Sequence, residues 1–273
     1  MENGPAEALR LHWPEYLMEA AELGLFMISA GLFATLVEYP GSPVHQAISD
    51  PLLRRTLMGA AMGLTAVGLI YSPWGQQSGA HMNPALTFAF WRIGKVDSWD
   101  ALFYILFQFV GGLAGVEITS VVLGDRFAAP PVSYVVTVPG SAGVMVAFLA
   151  EIAIAFGLML LVLYFTNSPR YSRYTGLFAG LLLAAYITLE SPFSGTGLNP
   201  ARTFASALPS SIWTAGWVYF TAPVLGMLLA DEVFRWSRHR GEARCAKLNH
   251  HTTRRCIFRC GYRGKRKPEE ARP

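Results

Sequence analysis

Two asparagines stand where a mostly apolar chain has little use for them. Asn83-Pro84-Ala85 lies in GAHMNPALTF at 79–88 and Asn199-Pro200-Ala201 in GTGLNPARTF at 195–204, so the tripeptide recurs 116 positions apart after a glycine-bearing approach. Asn caps helices because its side-chain oxygen accepts a backbone N–H of the first turn, and Pro suits the next position, where no donor is missed. Each tripeptide therefore reads as a helix start whose amide NH2 is left to donate. Arg202, three residues past Asn199, adds a fixed positive charge. An Arg at membrane depth is costly unless it faces a cavity or partner carbonyls; the alternative role is a structural salt bridge. Donors and positive helix ends converging in one place can hydrogen-bond a neutral polar molecule and oppose a cation. Ser78 and His81 could form a dyad, but no carboxylate in the motif orients it, and His81 fits the lining of a vestibule better. Enzymatic activity is not expected.

The elements that must hold these residues are transmembrane. The 273 residues are 52% hydrophobic and only 15% charged, which is too apolar for an ordinary soluble domain. Uncharged stretches at 23–37, 56–76, 101–116, 152–166, 174–189 and 211–230 each approach the roughly 20 residues a spanning helix needs. From Pro84 to Trp91 and from Pro200 to Ala207 there is room for only about 12 Å of helix, less than half the bilayer. An even number of spans puts both termini on one side. Eighteen of the 22 Lys and Arg residues then share that side, which makes it cytoplasmic by the positive-inside rule.

The chain also repeats itself. MEAAELGLFMIS at 18–29 and AFLAEIAIAFGL at 147–158 each open a span with a glutamate, Glu22 and Glu151, and an Asn-Pro-Ala segment and a further span follow. Three spans per repeat is an odd number, so the halves insert upside down relative to each other, an arrangement known from transport proteins. The expected organisation is an N-terminal cytoplasmic tail at 1–15, a channel domain at 16–236 with repeats at about 16–123 and 142–236, and a basic cytoplasmic tail at 237–273 that is expected to be disordered. Cys245, Cys256 and Cys260 lie in that tail beside His250 and His251 with spacing C-x10-C-x3-C, which matches no standard zinc pattern; attraction to anionic lipid is its default reading, with metal binding or lipidation as minor alternatives. No metal, cofactor or nucleic-acid partner is expected.

At SGAHMNPALT and GTGLNPARTF the chain resembles the aquaporin, or major intrinsic protein, family over about residues 16–236. The resemblance implies an all-α membrane fold of six transmembrane helices with two re-entrant half-helices in an inverted repeat, one pore per subunit, and a homotetramer. Glu22, Glu151 and Gln108 would brace the re-entrant loops. An outer selectivity constriction carried over without gaps falls on Gly63, Ile187, Thr196 and Arg202, with Tyr186 the alternative to Ile187. Glycerol facilitators place Asp after the Arg where this chain has Thr203, whereas Gly63 and Ile187 imply a wider, less polar mouth than water-selective relatives have. The expected function is passive passage of water and small uncharged solutes across a plasma or inner membrane, with ions and protons excluded. Two alternatives stand beside it: a wider facilitator of metalloid hydroxides, ammonia, glycerol or urea, and an ion-coupled secondary transporter.

Overall fold

The computed structural model describes residues 4–237 and 243–262. Proline opens one helix after another, because its fixed φ favours the first turn and its missing N–H has no partner there to lose. It is the first residue of α1 (Pro5–Glu38), α2 (Pro43–Ala47), α3 (Pro51–Tyr71), α4 (Pro73–Ser78) and α5 (Pro84–Arg92). Then come α6 (Ser98–Leu123), α7 (Asp125–Ala128), α8 (Val144–Thr166), α9 (Thr175–Leu189), α10 (Ser191–Ser194), α11 (Pro200–Ser210) and α12 (Gly216–Ser237). Among the described residues there is no strand.

Five helices, α1, α6, α8, α9 with its preceding turn, and α12, are long and apolar enough to cross a membrane. The 21-residue α3 is the sixth spanning element; its first turns carry Arg54 and Arg55, whose guanidinium groups bind Glu38 and the Thr188 carbonyl. Two boundaries differ from expectation. The first helix starts at Pro5, so most of the predicted N-terminal tail is helical and runs through Pro14. The second span stops at Ser72, where Pro73 forces an extended residue and Ser72 caps a separate short helix through the Gly75 N–H. The half-helices, 9 and 11 residues long, slightly exceed the eight predicted, yet at about 1.5 Å per residue neither can span.

Glycines let the spanning helices approach closely. α1 packs along α6, α8 along α12, and α3 along α9; a Cβ on Gly24 would sit 3.0 Å from Gly111 O, and one on Gly226 3.0 Å from the Ala155 Cβ. The first two pairs are counterparts in the two repeats, and α3 with α9 joins the repeats. α5 and α11 are wedged between α6 and α12 with their N-termini facing each other.

Candidate functional site

The two asparagines do more than start helices. Asn83 Oδ1 accepts the Ala85 N–H at 2.9 Å, and Asn199 Oδ1 accepts those of Ala201 at 3.0 Å and Arg202 at 3.2 Å. Each amide then crosses to the opposite loop: Asn83 Nδ2 donates to Leu198 O at 2.9 Å and Asn199 Nδ2 to Met82 O at 2.6 Å. An NH2 group has two hydrogens, so each asparagine keeps one for the cavity that both line. The half-helices are thereby tied tip to tip, and their positive ends share one point.

The loops before them are built alike in both repeats. Gly79 and Gly195 end α4 and α10 in the left-handed region at φ 107° and 81°. Ala80 and Met82, then Thr196 and Leu198, also have positive φ, a costly conformation for residues with a Cβ unless the surroundings hold it. Carboxylates hold it. Glu151 accepts the N–H groups of Gly197 at 2.5 Å and Leu198 at 2.7 Å. Its counterpart in the first repeat is Glu19, which accepts those of His81 at 2.9 Å and Met82 at 2.6 Å. Ser78 and Ser194 turn back onto the Ala80 and Thr196 amides, and Tyr104 and Tyr219 each donate to the serine carbonyl at 2.7 Å.

Glu22 braces the same loop one step removed: it accepts the Ser78 hydroxyl at 3.1 Å, as Glu151 accepts that of Ser194 at 2.6 Å, while Glu19 takes the amide bonds that Glu151 also makes. Glu15, Glu19 and Glu22 are all fully buried on one face of α1, and their spacing of four and three residues was the signal that three acids, not one, work there. Gln108 braces the loop through Glu19 Oε2, at 2.8 Å, and Thr87, at 3.1 Å. The Ser78–His81 dyad does not form: His81 Nδ1 lies 3.1 Å from Thr87 Oγ1 and Nε2 donates to Ala246 O at 2.9 Å.

A cavity of about 220 Å3 runs past both loops. Ile187, Thr196 and Arg202 line it toward one end, with Ser191 beside them, and no carboxylate is among its lining residues. Arg202 Nη1 has no protein partner, so the guanidinium is not locked in the salt bridge considered as its alternative role. Tyr186 is not in the lining, and neither is Gly63. A Cβ on Gly63 would lie 2.6 Å from Gly180 O, so the residue faces α9; α3 presents Met58 and Met62 to the cavity instead.

At the His81 end the cavity meets the C-terminal segment. Residues 243–262 form no helix or strand, yet Cys245, Ala246 and Lys247 are almost fully buried. The expectation of a disordered, lipid-facing tail fails for these residues; its other parts, 238–242 and 263–273, lie outside the described residues. Composition misled because the segment's partners are the helix ends themselves. Leu248 N donates to Gly79 O at 3.1 Å, Lys247 Nζ to Gln76 O at 2.7 Å, Arg244 N to Asn167 Oδ1 at 2.6 Å and Tyr262 OH to Thr166 O at 2.6 Å. Arg255 reaches Leu11 O at 3.0 Å, and Arg259 reaches Asp97. Phe258 stacks flat on His81, ring centres 5.2 Å apart, and Leu248 itself lines the cavity. Burial pushes the Lys247 ammonium below the ordinary lysine range. The hydrogen bond with Cys245 holds the Cys256 thiol well below the usual thiol range and, by the same contact, pushes Cys245 up.

The family model described as Major intrinsic protein matches residues 13–234. Aquaporin NIP2-2 of Zea mays is 34% identical over 191 residues, 68% of this chain and 61% of that relative, so the chain spans about three fifths of that protein's length. Aquaporin A of Dictyostelium discoideum is 31% identical over 210 residues, 73% of each chain. The X-ray structure of the aquaglyceroporin from Plasmodium falciparum shares the fold, with a TM-score of 0.66 at 19% identity over 82% of this chain and 95% of that one.

Proposed function

The chain belongs to the major intrinsic protein family, multi-pass membrane channels rather than enzymes, and from that premise we propose that it passes water and small uncharged solutes while excluding ions and protons. The carrying observation is the reciprocal pair of bonds from Asn83 to Leu198 and from Asn199 to Met82. It fixes two positive helix ends and two spare amide hydrogens at one point of the cavity, which Arg202, with no protein partner at Nη1, also lines. A neutral molecule that accepts hydrogen bonds gains there, whereas a cation meets only positive ends. The absence of a lining carboxylate among the described residues argues against ion-coupled transport, which needs an ion or proton site in the same place.

The constriction we assign is Met62, Ile187, Thr196 and Arg202, two apolar walls facing two polar ones. Met62 removes the space that a glycine would have given, but a thioether on three rotatable bonds yields to a passing solute. Passage of solutes larger than water, such as the glycerol in the name of the Plasmodium falciparum aquaglyceroporin, is therefore the second reading. Both ends of the chain, with the basic residues concentrated in the C-terminal one, would by the charge count face the cytoplasm of a plasma or inner membrane. Apolar side chains that stand far out of the bundle, such as Leu64, Val121 and Val122, would meet lipid or sister copies in a homotetramer.

Stopped-flow light scattering of proteoliposomes tests the proposal, using the full chain and a Phe258→Ala variant with a loosened tail. Osmotic shrinkage faster than that of empty vesicles, with a low activation energy and no response to ion gradients, is expected. Shrinkage at the empty-vesicle rate for both proteins would falsify it.

A further inference from the structure

The channel reading leaves the C-terminal segment without a task, although its contacts are extensive. Within it the ligand atoms of Cys245, His250, Cys256 and Cys260 all lie within 4.8 Å of one another. Cys245 Sγ and Cys256 Sγ are 3.6 Å apart, and Cys260 Sγ and His250 Nε2 are 2.9 Å apart. Four donors around one tetrahedral metal with bonds near 2.3 Å would be separated by about 3.8 Å, so the side chains are already nearly in coordinating positions. We propose that these four residues bind one Zn2+, and that the metal-held segment is a plug that keeps the His81 end of the channel closed.

The donor types choose the metal. Three thiols with one imidazole form a closed set that suits structural zinc, which needs no open position and brings no redox chemistry. A disulfide is the rival use of the thiols, but it would join two sulfurs and leave no reason for the third thiol and the imidazole to meet them. The histidine is oriented for its role: its ring stacks on Tyr262 at 4.6 Å, and Arg244 lies over the tyrosine ring at 5.6 Å. Such supports around a ligand fix its direction. A surface pocket bordered by His250, Cys256 and Tyr262 leaves an entry path. The segment also needs a staple, since an irregular stretch this short, with few large apolar residues of its own, cannot fold on its hydrophobic core.

The plug follows from what the ligand loop carries. Ala246, Lys247 and Leu248 lie between the first two ligands, and Phe258 between the last two. These four residues make the contacts with His81, Gln76, Gly79 and the cavity. Releasing the metal would let the loop unfold and take them off the mouth. The occlusion half of the proposal rests on the channel reading; the metal half does not.

The test uses the full chain throughout. Metal content by plasma mass spectrometry and thiol titration after chelation should give one zinc and three free thiols per chain. A Cys256→Ser, Cys260→Ser double variant should contain none. In proteoliposomes, chelating the zinc should raise water flux severalfold, re-added Zn2+ should reverse the rise, and the double variant should be fast and unresponsive. A single free thiol with no metal, or bound iron with visible absorption, overturns the zinc site. Stoichiometric zinc with a flux that neither chelation nor the double variant changes, yet above that of empty vesicles, overturns the plug. If neither protein in any state exceeds empty vesicles, the channel reading fails and the plug with it, whereas the zinc count stands.

Discussion

Arg202 and Glu19 show how single side chains divide the work between barrier and scaffold. Removing the guanidinium while keeping an apolar side chain, in Arg202→Val, takes away a charge that a cation passing at about 5 Å feels by roughly 3 kcal/mol at an effective dielectric of 20. Cation or proton leak should rise on the order of a hundredfold while water flux changes little; an unchanged leak would move the barrier elsewhere. Glu19 bears on stability. Glu19→Ala strands the His81 and Met82 amides and the Gln108 NH2, about 1–3 kcal/mol for each buried group left unpaired. Glu22→Ala releases only the Ser78 hydroxyl, which rotates to suit. Thermal unfolding in detergent should therefore show a larger loss for Glu19→Ala, and the reverse order would make Glu22 the main brace. The asparagine caps were legible because a cap and its proline are local. The choice of Glu19 was not, because Glu19 and Glu22 lie about one helical turn apart on the same buried face and only the loop amides of His81 and Met82 tell them apart.

At the scale of elements the same contrast recurs. The half-helices could be read from Asn-Pro, whereas the close approach of α3 and α9 appears only in the fold, because which glycine faces a neighbour depends on a rotation of about 100° per residue. A gapless register before Asn83 puts Gly63 at the constriction. The break at Ser72 and the added turns of α4 change the phase, so the cavity receives Met62. Two substitutions separate the positions. Gly63→Val forces a branched side chain against the Gly180 carbonyl and should lower the melting temperature and yield, leaving any surviving protein's solute preference unchanged. Met62→Phe exchanges a flexible side chain for a rigid ring and should cut glycerol or urea uptake more than water flux. Equal loss of both would show that Met62 does not set the width.

Over the whole molecule, the segment at 243–262 ties together the N-terminal part of α1, the re-entrant loop at 79–82, the turn before α6 and the end of α8. Composition could not announce this, since the segment is basic and short of large apolar side chains and gains its burial from a surface that exists only after both repeats have assembled. The closed mouth is then an equilibrium that one contact can shift. The His81–Phe258 stack is worth about 0.5–1.5 kcal/mol beyond the area it covers. Phe258→Ala should therefore raise the open fraction by roughly two- to tenfold or more, provided the closed state dominates. Because Phe258 supplies no ligand atom, the zinc content should stay at one per chain. Faster flux with retained zinc would separate the fit of the plug from the folding of its metal loop, whereas loss of zinc in this variant would make Phe258 part of the loop's own core and leave His81 without a gating contact.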